Sequence, residues 1–149
     1  MNAPTTQTSF VQSGSSIIFV NSKEQIILML RDDKPDILCP NCWDILGGGM
    51  ESDEIPYQTI IREMKEEIEV DLTTDNFFYF KMYKFPIRTE FVFWKLVNFN
   101  IDQINLHEGQ KLQWFSKQDI ELISPGKIVT DSVMIINDFY QEKPYLKYL

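Results

Sequence analysis

The chain has 149 residues and a formal net charge of −8, from 22 acidic and 14 basic residues. That length suits one domain with a real core, and that charge repels a phosphate backbone, which excludes bulk nucleic acid as a partner. The longest apolar run, Ile26–Leu30, is too short to span a bilayer, and the polar start MNAPTTQTSF lacks the features of a secretion signal, so a cytoplasmic protein is expected.

In chain order, residues 1–10 read as a frayed leader and 11–149 as a single domain. Two β-type runs, 16–21 and 25–31, flank the polar turn Ser22-Lys23-Glu24 and suggest a hairpin. Residues 32–46 read as a loop containing Pro35 and Pro40. Its Cys39-Pro40-Asn41-Cys42 is a C-x-x-C, but a structural zinc needs four ligands. The chain has only two cysteines and one histidine, His107, so reduced thiols are expected. Gly47, Gly48 and Gly49 follow, a backbone able to approach a ligand closely. Pro56 fits the first turn of a helix ending near Glu69. Residues 77–85 and 89–99 read as strands, the second apolar on both faces and so covered on both sides. A short strand at 111–115 precedes Ser116, the N-cap of a short helix at 117–122. A last helix spans 128–141, with Val129, Val133, Ile136 and Tyr140 at helical spacing. The order predicts an α+β fold, a mixed β-sheet with helices packed on it.

The central helix carries the chemistry. Each residue advances roughly 100°. With Ile60 at zero, Ile61, Met64 and Ile68 form the core face, and Glu63, Glu66 and Glu67 fall in a separate sector about 100° wide. Acids at i, i+3 and i+4 repel by roughly 0.2–0.5 kcal/mol per pair. A divalent cation would remove that penalty, and hard oxygen ligands suit Mg²⁺ or Mn²⁺. Three acids alone also describe an ordinary solvated helix face.

The surrounding residues favour the metal. Gly48 is followed after five residues by Glu54, and after seven more by Arg62-Glu63-Met64-Lys65-Glu66-Glu67-Ile68-Glu69-Val70. This resembles the signature box of the Nudix hydrolase family over 23 positions. Glu69 stands where the family has glycine, near the helix end, and Asp53 replaces another frequent glycine. The resemblance implies an α/β/α Nudix fold, with a mixed β-sheet sandwiched between helices. It implies Glu63, Glu66 and Glu67 as metal ligands, Arg62 orienting a catalytic carboxylate, Glu54 supporting the loop–helix geometry, and the Gly47 carbonyl as a further ligand. The implied reaction is water attack on phosphorus in a nucleotide-like diphosphate, with release of a nucleoside monophosphate.

His107-Glu108-Gly109-Gln110 resembles the Glu-Gly-Gln loop of MutT-type members, which implies Glu108 as a metal ligand or base. Asp102 and Glu90 are weaker candidates for that late acid. Arg31, at a predicted strand end, is a candidate for a substrate phosphate. Trp43 is a candidate cover for a base or sugar, and Asp131 a candidate acceptor for a base amino group. The aromatic strands offer a surface for a homodimer. Two other readings stay open: a non-catalytic Nudix-fold module that binds a nucleotide or a protein, and a prenyl diphosphate isomerase, for which Cys42 ahead of the box is the only support.

Overall fold

A computed structural model describes residues 12–149; the expected frayed leader lies outside them. The strands are β1 (Gln12–Val20), β2 (Ile26–Leu30), β3 (Trp43–Asp44), β4 (Leu46–Gly49), β5 (Phe78–Lys84), β6 (Arg88–Leu96) and β7 (Lys111–Phe115). The α-helices are α1 (Pro56–Ile68), α2 (Lys117–Glu121) and α3 (Thr130–Glu142).

All seven strands join one mixed sheet. β1 runs parallel to β6 from Gln12↔Arg88 to Val20↔Leu96. Its other edge pairs antiparallel with β4, from Gly14↔Gly49 to Ile17↔Leu46. The expected hairpin of β1 and β2 closes only at its base, Val20↔Ile26. Beyond it β2 pairs with β7 and β3 instead. The parting of β1 from β2 leaves a cleft lined by residues of both.

The 32–46 segment, expected as loop, carries β3 and the start of β4. β3 has two residues and β4 is mostly glycine, so neither shows apolar alternation. Both exist because β1 and β2 offer open backbone edges to them.

Alternation along β1 divides the core. Ile18 and Val20 join Val92, Trp94, Ile136 and Phe139 on the α3 side. Ile17 and Phe19 join Phe93, Ile60, Met64 and Ile68 on the α1 side. β6 is therefore covered on both faces, as its sequence predicts. Each fully buried large apolar side chain contributes about 1.5–3 kcal/mol, so Ile60, Met64 and Ile68 outweigh the acid repulsion on the rest of α1.

Three bonds tie the turn between β1 and β2 to the C-terminal residues. Tyr145 Oη donates to Glu24 Oε1 at 2.8 Å, Tyr140 Oη donates to the Glu24 carbonyl at 2.8 Å, and Lys143 Nζ pairs with Glu24 at 3.2 Å. Among the described residues no helix is long and apolar enough to cross a membrane.

Candidate active site

Helix α1 starts from a locked turn. Ile55 N–H donates to Gln58 Oε1 at 3.0 Å, and Pro56 opens the first turn. Glu54 accepts from Glu51 N–H at 2.8 Å and Thr59 Oγ1 at 3.2 Å. Arg62 grips Glu54 through Nε (2.8 Å) and Nη2 (2.9 Å), and Nη2 also donates to the Gly49 carbonyl at 2.9 Å. The Arg62 hydrogen bonds hold the Glu54 pKa down to about 2. Arg62 Nη1 donates to Glu63 at 2.9 Å and Glu66 at 3.2 Å. One guanidinium thus joins the glycine end of β4, the helix start and two acids.

Carboxylate oxygens of Glu63, Glu67 and Glu108 lie within 4.8 Å of one another. Glu67 is 4% exposed and its Oε2 is buried without a hydrogen-bond partner among the described residues. Burial, with Glu63 and Glu108 beside it, pushes its pKa well up. Helix geometry explains the burial: seven residues after Ile60, Glu67 returns to about 20° from it. An orphaned buried oxygen among three carboxylates is a donor set that fits a hard divalent cation.

Glu66, expected with the ligands, stands apart. Its side chain is 59% exposed and is held by Arg62. Of the three helix acids it lies furthest from the core face, so the structure gathers Glu63 and Glu67 with Glu108 and leaves Glu66 at the rim.

The glycines make the space. A Cβ on Gly48 would sit 2.1 Å from Glu63 Cδ, and one on Gly47 would sit 2.2 Å from the Ser15 carbonyl oxygen. Both departures from the box keep a glycine-like backbone: Asp53 has φ 72° and Glu69 φ 55°. The left-handed region costs a residue with a Cβ roughly 1–2 kcal/mol. At Glu69 the helix closes by Val70 N–H donating to the Met64 carbonyl at 3.1 Å.

The cleft, about 180 Å³, is lined in part by Glu67, Glu108 and Gly47–Gly49. Arg31 lines it too, but its Nη1 is paired with Asp44 at 3.3 Å and its Nε donates to the Leu38 carbonyl. Trp43 is not brought into the cleft. Neighbours in a strand face opposite ways: Asp44 faces the cleft, and Trp43 packs edge-on against Phe115 at 4.7 Å. Asp131 sits in the first turn of α3, 3.6 Å from Arg88 Nη2. Cys42 is buried against the Gly126 carbonyl, with Sγ–O 3.4 Å, and is not among the cleft residues; Cys39 is exposed and unbridged.

Sequence reasoning named Glu90 only as a weaker late acid and missed Asp44, Ser132 and Arg88, which line the cleft with it. Asp44 accepts from Ser132 Oγ at 2.5 Å, and Glu90 accepts from Ser16 Oγ. Burial raises both acids' pKa values, against the serine hydrogen bonds that lower them. Arg88 lies 3.7 Å from Glu90, and its Nε is buried without a partner among the described residues. The available signal was period-two spacing: Arg88 and Glu90 share a strand face, as a cleft-facing Asp44 follows from a core-facing Trp43.

The NUDIX domain family matches residues 11–135, and the chain belongs to that family. A dihydroneopterin triphosphate diphosphatase of Haemophilus influenzae is 32% identical over 65 residues, 44% of this chain and 38% of that relative's length. A Deinococcus radiodurans protein superposes with TM-score 0.75 at 16% identity, covering 87% of this chain and 83% of the other. A Francisella tularensis bifunctional NMN adenylyltransferase/ADP ribose pyrophosphatase, solved with AMP and a Mn ion, superposes with TM-score 0.68 at 21% identity, over 88% of this chain and 41% of the other.

Proposed function

We propose that this chain is a divalent-metal-dependent pyrophosphohydrolase. It cleaves the diphosphate linkage of a nucleoside triphosphate, or of a nucleoside diphosphate joined to another group, and releases a nucleoside monophosphate. The observation that carries this is the Glu63–Glu67–Glu108 group, with its orphaned Glu67 oxygen, two of whose members line a cleft large enough for part of a nucleotide. The relative's name refers to a triphosphate and the structural neighbour's to an ADP ribose linkage, which places both in the same chemical class.

Glu63, Glu67 and Glu108, with Glu66 at the rim and Gly47 beneath, are the residues assigned to hold Mg²⁺ or Mn²⁺. A bound divalent ion supplies charge neutralisation at the phosphates and a lowered pKa for water. The chain's own part is orientation. Arg62 fixes Glu63 and Glu66, Glu54 fixes Arg62, and Gly48 leaves room for the Glu63 carboxylate. Glu108, from the opposite wall, is assigned as ligand or as proton acceptor from the attacking water. Arg31 is assigned to a substrate phosphate and Asp131 to a base amino group; Trp43 is assigned to packing. The same reading treats residues 11–149 as one catalytic domain, places it in the cytoplasm, and takes the exposed Phe78, Tyr79 and Met82 of β5 as the surface of a homodimer.

The test is a panel of nucleoside triphosphates, dinucleoside polyphosphates and nucleotide sugars with Mg²⁺ and product identification. Release of a nucleoside monophosphate from one member, lost by orders of magnitude in Glu66→Gln and Glu67→Gln, is expected. Metal binding with no turnover anywhere in the panel would replace the enzyme by a binding module.

A further inference from the structure

We propose that Glu69 and His107 form a positioning latch that holds the Glu108 loop against the carboxylate helix. The proposal rests on the reading of Glu63, Glu67 and Glu108 as one metal site.

Glu108 is the only member of that group outside α1, so its place depends on how its loop is seated. The loop is fastened on both sides of it. After Glu108, Gly109 has φ 84°, and a Cβ there would lie 2.6 Å from Met29 Sδ. Gln110 N–H donates to the Leu30 carbonyl at 2.8 Å, and Gln110 Nε2 donates to the Arg31 carbonyl at 2.7 Å and to Asn41 Oδ1 at 2.9 Å. These bonds fix the loop to β2. Before Glu108, His107 N–H donates to the Glu67 carbonyl at 2.8 Å, and His107 Nε2 lies 2.8 Å from Glu69 Oε2. These fix it to the end of α1.

The pair also accounts for an oddity. Glu69 occupies a left-handed position that glycine fills without cost. Glycine there would offer the histidine nothing. The carboxylate turns the helix terminus into a handle for the loop. Both side chains are about half exposed, so the effect is modest and falls on loop position, while the core stays intact.

The test uses the full chain and Mn²⁺ alone, by calorimetric titration, with amide exchange of residues 105–110. His107→Ala and Glu69→Gly each weaken Mn²⁺ binding by about two- to fivefold and speed exchange at Glu108 and Gly109. The double variant is no worse than either single, and Glu69→Gln, which keeps an acceptor, restores part of the loss. Glu69→Gly also relieves the left-handed residue, so its melting temperature holds or rises while its Mn²⁺ affinity falls. Unchanged Mn²⁺ affinity and unchanged loop exchange in both single variants overturn the latch and leave the metal site standing. A parent chain that binds no Mn²⁺ overturns the site itself.

Discussion

Arg62 holds Glu54 through two parallel hydrogen bonds, Nε to Oε2 at 2.8 Å and Nη2 to Oε1 at 2.9 Å. Neither residue belongs to the carboxylate group, yet the same guanidinium positions Glu63 and Glu66. A lysine keeps the charge and loses the fork. Arg62→Lys should lower turnover by roughly 10–100-fold, the range typical of residues that orient metal ligands. Circular dichroism should show the fold retained.

Glu67→Gln separates stability from function. Removing one acid from a buried like-charged group should raise the metal-free melting temperature. The same change removes a ligand and should cost more than the roughly 10–100-fold seen for outer partners. Differential scanning calorimetry without metal and steady-state turnover with Mg²⁺ measure the two effects. A variant that melts lower and still turns over would contradict both.

Adjacent glycines should fail differently. Alanine at Gly48 meets the tip of a side chain, whereas alanine at Gly47 meets the Ser15 backbone. Gly48→Ala should displace Glu63 and weaken Mn²⁺ binding at nearly unchanged stability. Gly47→Ala should destabilise by about 2 kcal/mol or more. Urea melts and Mn²⁺ titrations of both variants check the contrast.

Glu54 and Glu90 should tilt stability in opposite senses with pH. The folded pKa of Glu54 lies below its ordinary 4.5, at about 2. Its contribution is complete above 4.5 and is lost as pH falls towards 2. Burial raises Glu90 above 4.5 in the folded state. The folded chain then holds the extra proton, and stability declines as pH rises from 4.5 through the raised value. Denaturant melts across this range should show a shallower acid loss in Glu54→Gln and a flatter decline above 4.5 in Glu90→Gln.

What the sequence displayed was local. The box spacing and the 3.6-residue period located α1 and the turn before it, and the doubly apolar β6 was legible as a covered strand. Distant pairing was not legible. Residues 43–49 became strands only because β1 and β2 part and expose edges to them. One sector for Glu63, Glu66 and Glu67 was too coarse to tell which of them lies beside the core. Their individual angles place Glu67 beside the core and Glu66 on the far side, which is how the structure has them. Asp44 and Glu90 reach the cleft from strands far apart in the chain, a proximity no spacing rule can encode.

The parallel pairing of β1 with β6 bears on how the chain is made. Gln12 finds Arg88, and Val20 finds Leu96, only after the whole sequence between them has been synthesised. Until then Ile17, Ile18, Phe19 and Val20 form an apolar strand whose long edge is unmatched. Contacts this distant form slowly and leave partly folded chains prone to association. Slow, cool expression should therefore raise the yield of soluble protein, and the central strand of the finished sheet is the nascent chain's most vulnerable stretch.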